Sequence, residues 1–306
     1  MEWAGTGAGN PIVVFGPEGC GKTAWLRQAA ELLREEGFEV IYVDPLHKDF
    51  LAYTDVKEAA RRLASAASEA MGIAEIKLAA LAVELAKELL KLGRRRVAIL
   101  VDEVFQAIGL DKAGVYVKTL LNLIEYPPKN YEKIVAIAAT SEGASRKEIG
   151  RHRWADLMPM WNMSREGFEE LYEKLPGLKP DLEEAWKLTG GNPHLLKELY
   201  RFKWDAEFTV EKLVDTKGLT DVASRWKSWL AAAIEDPDYL WGPDVPRELV
   251  EELVEKNLIV HHLFNRDPRL WIDEPPPERD TELGIGRYVA WQTPLHREAV
   301  RKALAA

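Results

Sequence analysis

Residues 16–23 read Gly16-Pro17-Glu18-Gly19-Cys20-Gly21-Lys22-Thr23 and satisfy the spacing G-x-x-x-x-G-K-[ST] at every fixed position. Glycines so placed let the main chain curl until successive N–H groups point into one concavity. A helix beginning just after them adds the positive end of its dipole, so the pattern builds a cradle for phosphate. Lys22 can then reach the β- and γ-phosphates of a nucleotide, and the Thr23 hydroxyl can ligate Mg²⁺. Cys20 holds a variable position, where a small side chain turned away from the phosphates is expected. It is the only cysteine, so no disulfide can form within the chain.

A second group of candidates sits where apolar runs end. The run 97–102 (VAILVD) delivers Asp102 to the edge of a buried strand, beside the water shell of a phosphate-bound Mg²⁺. Glu103 follows as the natural general base for polarising an attacking water. The run 134–140 (IVAIAAT) ends at Thr140 and Ser141, either of which can sense the γ-phosphate or the attacking water; the pair also suits a helix cap. Transition-state charge calls for a cation, and Arg146, Arg151 and Arg153 come next in the chain. Arg151 and Arg153 are the preferred pair, acting in cis or from a neighbouring subunit.

The elements that must position these residues alternate. Apolar runs at 11–15, 39–44, 97–102 and 134–140 read as strands covered on both faces, and residues 154–163 can hold a short fifth. Helical spacing follows from 22 to 36, then over 55–70 and 73–92, the last with a buried stripe of Ile76, Ala80, Leu81, Leu85 and Leu89. Arg94, Arg95 and Arg96 read as a solvated turn after that helix. This is the alternation of a parallel α/β sheet. Later segments are helical over 164–175, with Ser164 as N-cap, and over 180–204. Beyond residue 220 come helices, β-rich segments at 257–264 and 286–293 around a Pro-rich tip, and a last helix, Pro294–Ala305. That order predicts a small winged-helix-type domain.

Gly190-Gly191-Asn192-Pro193-His194 reads alone as a helix stop, an N-cap and a proline at the first helical position. Behind the phosphate loop, the Asp-Glu strand end and the Thr-Ser strand end, it resembles the archaeal ATPase family of the STAND branch of AAA+-like proteins. The resemblance implies an AAA+-like five-stranded parallel sheet of order 5-1-4-3-2, a helical lid and a C-terminal winged-helix domain. It places the core at 1–163, the lid at 164–219 and the winged helix at 220–306. It also implies that Gly191, Pro193 and His194 face the nucleotide, with ATP or ADP and Mg²⁺ as cofactors. The second-sensor arginine of many AAA+ proteins has no counterpart in the helical turn after Pro193. Trp3 is a candidate for stacking on adenine, beside the plainer reading of a packed tryptophan.

Net charge of −9 argues against coating nucleic acid by bulk electrostatics. No apolar run approaches the roughly 20 residues of a membrane span, and residues 1–10 lack the pattern of a signal peptide, so a cytoplasmic protein is expected. Three readings compete: an ATPase switch, slow or stimulated by a protein partner and able to assemble with itself when nucleotide binds; a DNA-binding ATPase; and a scaffold that holds nucleotide without turning it over. The DNA reading uses residues 220–306 and the terminal-helix cations His296, Arg297, Arg301 and Lys302. That segment nevertheless holds 11 Lys and Arg against 16 Asp and Glu.

Overall fold

The computed structural model describes residues 9–306 apart from 142–145, 147–148 and 264; Trp3 lies outside the described residues. The chain forms two compact units. The first contains Lys22–Thr140 with the flanking strands; the second contains Pro159–Ala306 together with the loop Gly16–Gly21.

The first unit is built on a six-stranded sheet, ordered β3-β2-β4-β5-β1-β6. Strands β1 (Ile12–Phe15), β2 (Glu39–Asp44), β4 (Arg96–Asp102) and β5 (Lys133–Thr140) are buried at nearly every position, so side chains on both faces are covered. β1 pairs with β5, β5 with β4 and β4 with β2, all parallel. At one edge, β6 (Asp156–Pro159) lies next to β1. Helix α1 (Lys22–Glu35) follows the phosphate loop and buries Leu26, Ala29, Ala30 and Leu33.

Two expectations need correction. The sheet has six strands rather than five, because β3 (Asp49–Tyr53) folds back antiparallel on β2, with Val40 opposite Tyr53 and Asp44 opposite Asp49. All five of its residues are half-buried, so the edge strand lacks the alternation that marks a strand in sequence. The helices α2 (Lys57–Ala67) and α3 (Ile73–Lys91) come after it. In α3 the buried stripe runs through Ala74, Leu78, Leu81, Ala82, Leu85 and Leu89, while Ile76 is half exposed and Ala80 faces outward. Five residues back from Leu81 is about 140° around a helix, whereas three and seven back stay on its face. Between β4 and β5 the chain forms α4 (Val104–Ile108) and α5 (Ala113–Glu125), the latter burying Val117, Leu120 and Ile124. Of the three arginines expected in a solvated turn, Arg94 pairs with Asp55 and Glu39, while Arg96 already opens β4.

The second unit is mostly helical. Its helices are α6 (Arg165–Glu173), α7 (Leu182–Thr189), α8 (Pro193–Arg201), α9 (Ala206–Lys217), α10 (Leu219–Glu235) and α11 (Arg247–Glu255). The Ser164 and Asn192 side chains cap α6 and α8 by accepting the N–H groups of Gly167 and Leu195. Strands β7 (Ile259–His261) and β8 (Val289–Trp291) pair antiparallel, and α12 (Pro294–Ala305) closes the chain. Trp291 is fully buried and donates its indole N–H to the Ala233 carbonyl at 3.1 Å, anchoring β8 against α10.

The α3 register makes a direct prediction. Leu85→Ala should cost about 2–5 kcal/mol, and Ile76→Ala less than about 0.5 kcal/mol. Urea unfolding of the two variants checks this, and equal losses would show that the stripe has been misassigned.

Candidate active site

Three neighbouring parallel strands end level with one another. Asp102, the last residue of β4, is opposite Ala139 of β5, and Thr140 is opposite Phe15, the last residue of β1. Parallel pairing therefore brings Asp102, Thr140 and Phe15 to the carboxyl edge of the sheet, where open α/β sheets receive ligands. Lys22 and Thr23 open α1 directly after the loop.

Asp102 is fully buried. Burial is the largest influence on its carboxyl and drives the pKa up to about 6; a hydrogen bond from Thr23 pulls it down, Glu103 and Asp44 push it up, and Lys22 opposes them. The Tyr42 hydroxyl lies 3.4 Å from Oδ2. Burial, reinforced by the charge of Asp102, raises the pKa of Tyr42, so it remains a protonated donor. Asp102 Oδ1 has no hydrogen-bond partner among the described residues. No cluster of three His, Cys, Asp or Glu side chains is placed to cage a metal among them either. One carboxylate with an unused oxygen and one adjacent hydroxyl is a donor set that fits Mg²⁺, which keeps most of its coordination for water and phosphate.

Glu103 occupies the N-cap position of α4 in the left-handed region, at φ 44° and ψ 30°. A non-glycine residue held there costs on the order of 1–3 kcal/mol, and such strain gathers at functional positions. Thr140 is fully buried and Ser141 half-buried. Of the three arginines, Arg146 places its guanidinium 5.2 Å from the centre of the Phe15 ring, and burial lowers its pKa. Arg151 and Arg153 are exposed.

The loop Gly16–Gly21 belongs to the second unit and is shaped by close contacts there. A Cβ on Gly16 would stand 2.0 Å from the Met160 carbonyl oxygen. On Gly19, whose φ is +73°, it would stand 2.4 Å from the His194 Cβ. The Gly-Gly-Asn-Pro turn thus meets the loop: the His194 N–H donates to the Gly19 carbonyl at 3.3 Å. Gly191 also needs to be glycine, since its Cβ would lie 2.6 Å from the Met163 carbonyl oxygen. Pro17 accepts from the Cys20 N–H at 3.3 Å, and the Cys20 side chain is fully buried, which leaves no accessible thiol. Sequence reasoning missed the residues that hold Glu18. Its N–H donates to Gln292 at 2.8 Å, its carbonyl accepts from Asn192 at 2.9 Å, and its carboxylate pairs with Lys217 at 2.7 Å. Gln292 and Lys217 stand in no motif, and no spacing pointed to them.

A family model described as an ATPase domain predominantly from Archaea matches residues 1–199. The chain belongs to this ATPase family. ATP binding and hydrolysis are therefore its general activity. No curated protein matches the chain. Solved structures similar to it include a DNA replication initiation factor, at 16% identity over 82% of this chain and 74% of that one, with a TM-score of 0.39. Another is the ORC2 protein of Aeropyrum pernix in ADPNP–ADP complexes, at 14% identity over 98% and 89%, TM-score 0.37. A third is CDC6P from Pyrobaculum aerophilum, at 14% over 98% and 90%, TM-score 0.36. Likenesses this remote say nothing about ligand or partner. Among the described residues of this ATPase, no helix is long and apolar enough to cross a membrane.

The Asp102 pKa carries a testable sign. Folding raises it from 3.8 to about 6, so ionisation works against the nucleotide-free fold. The penalty is absent below about pH 4, grows as pH rises toward 6 and is complete above it. Asp102→Asn should therefore stabilise the Mg²⁺-free protein at pH 8 by roughly 1–3 kcal/mol and give no gain at pH 4. Urea unfolding at the two pH values checks this; the same gain at both would refute the assignment.

Proposed function

We propose that this protein is a Mg²⁺-dependent ATPase working as a nucleotide-operated switch. The observation that carries the reading is the buried Asp102 carboxylate, with an oxygen left unpartnered beside Thr23 and Lys22. In this reading Thr23 and Asp102 hold Mg²⁺, directly or through water. Lys22 and main-chain N–H groups of the loop after Glu18 hold the phosphates, and Gly191, Pro193 and His194 complete the nucleotide site. Glu103 is the general base, and its strained backbone supports a role that folding alone does not require. Thr140 or Ser141 senses the γ-phosphate. Arg146 is a candidate cation in cis; exposed Arg151 and Arg153 suit a neighbour in a nucleotide-dependent homo-oligomer. The domains are read as a core at 1–163, a lid at 164–219 and a winged helix at 220–306, in a cytoplasmic protein whose switch acts on a protein partner.

The charge distribution weighs against DNA as that partner. His296 is buried, and burial lowers its pKa to about 4. Arg297 donates to the Thr281 and Glu282 carbonyls, Arg301 pairs with Glu298, and Lys302 with Glu207 and Glu211. In the winged-helix reading α11, the helix before β7, would be the recognition helix, yet it bears Glu248, Glu251, Glu252 and Glu255 against Arg247. A gel shift with duplex DNA at low salt should therefore show no complex; a salt-sensitive complex lost on neutralising Arg297, Arg301 and Lys302 would reverse this conclusion.

ATP binding and phosphate release, with and without Mg²⁺, test the main reading. Lys22→Ala should weaken ATP binding at least tenfold. Glu103→Gln should keep binding and lose turnover by about 10²-fold or more. Undiminished turnover in Glu103→Gln would remove Glu103 from the mechanism. Absence of any Mg²⁺-dependent turnover, alone or with a partner, leaves the scaffold reading in its place.

A further inference from the structure

The contacts on Glu18 form a closed ring inside the second unit. The Glu18 N–H donates to Gln292 Oε1 at 2.8 Å, and the Glu18 carbonyl accepts from Asn192 Nδ2 at 2.9 Å. Asn192 Nδ2 also reaches Asn162 Oδ1 at 2.8 Å, and Asn162 Nδ2 donates back to the Gln292 carbonyl at 2.9 Å. Asn192, Asn162 and Gln292 are 0%, 5% and 3% exposed. Outside the ring, Lys217 pairs with the Glu18 carboxylate at 2.7 Å. Burial opposes the charge of Glu18, but the hydrogen bond and charge of Lys217 outweigh it and the pKa is lowered.

Buried amides joined this way have few other arrangements, because breaking one link strands a desolvated partner. The ring therefore fixes both main-chain groups of the third loop residue, while glycines at 16, 19 and 21 would otherwise leave the loop free to vary. A loop already held in its binding shape loses less entropy when phosphate arrives. Gln292 is itself firmly seated: it follows β8 directly, precedes α12 by two residues and donates its own N–H to the Leu258 carbonyl at 2.9 Å. Both Gln292 and Lys217 lie beyond residue 199, where the family match ends.

We propose that Gln292 is a positioning residue for the phosphate loop. It holds the Glu18 peptide so that the N–H groups after it are aimed at phosphate, and through the same bond residues 289–295 register nucleotide occupancy. Lys217 secures the same residue from α9. The proposal rests on the ATP-binding reading above.

The test uses the full chain. ATP affinity, KM and kcat are measured for wild type, Gln292→Met, which keeps length and removes the acceptor, and Lys217→Met. Hydrogen exchange is followed across residues 289–295 with and without saturating Mg-ATP. Expected for Gln292→Met is a rise of about tenfold in Kd and KM, with kcat at saturation within about twofold of wild type. Lys217→Met should raise both by about two- to threefold. ATP should slow exchange at 289–295 in wild type and leave it unchanged in saturated Gln292→Met. Unaltered Kd and KM in folded Gln292→Met, or a loss confined to kcat, overturns the proposal. So does wild-type exchange at 289–295 that ignores ATP, and this decides the matter if Gln292→Met does not fold. A wild-type chain that binds no ATP refutes the parent reading instead.

Discussion

A carboxylate sealed from water at the end of a buried strand is the constraint around which the first unit is arranged. Asp102 has the bonds of Thr23 and Tyr42 and the charge of Lys22 in its favour, and burial, Asp44 and Glu103 against it; the balance leaves its pKa raised. Two cations could correct that balance, and only one of them is part of the chain. Lys22 is a single positive charge acting on Asp102 and stands at the helix end that attracts phosphate. On the proposed reading a divalent ion carrying phosphate would satisfy both demands together. Free phosphate would meet the acids without compensation, and a free metal would crowd the lysine. On the proposed reading the charges would favour the metal–nucleotide complex over either component.

That arrangement depends on register. β4 and β5 are paired so that Asp102 and Ala139 are opposite, and β5 and β1 so that Thr140 and Phe15 are. A slip of one residue would turn the Asp102 side chain to the other face of the sheet. Continuous burial of these strands holds the register, so the long apolar runs have a role in the chemistry as well as in stability. The edge strand β3 pairs only with β2 and carries none of the candidate residues.

What was legible in the sequence follows the same physics. Buried parallel strands show as apolar runs, and residues with backbone duties announce themselves by type: Gly19 at positive φ, Ser164 and Asn192 as caps, Pro193 at a first helical turn. β3 was hidden because Phe50–Tyr53 is a short apolar run without alternation, on a half-buried edge strand. The α3 stripe went astray at its amino end because an alanine- and leucine-rich helix offers several faces of similar polarity, and only packing chooses among them. The terminal-helix cations were legible as charges, but not that Arg297, Arg301 and Lys302 are already engaged by groups of the same unit.

The clamp on Glu18 was illegible for a deeper reason. Residues that touch a phosphate must offer particular chemistry at fixed spacing along a curled backbone, and that requirement writes a motif. Residues that hold such a loop need only present one donor or acceptor at the right place, and the fold can supply it from anywhere in the chain. Gln292 lies 274 positions from the peptide it caps, in an irregular link between a strand and a helix. An isolated glutamine there has no periodicity, no charge pattern and no partner nearby in sequence. The loop is held by that bond together with those from Asn192, Lys217 and His194, so on the proposed reading a phosphate site read from eight residues owes part of its affinity to a glutamine that no motif contains.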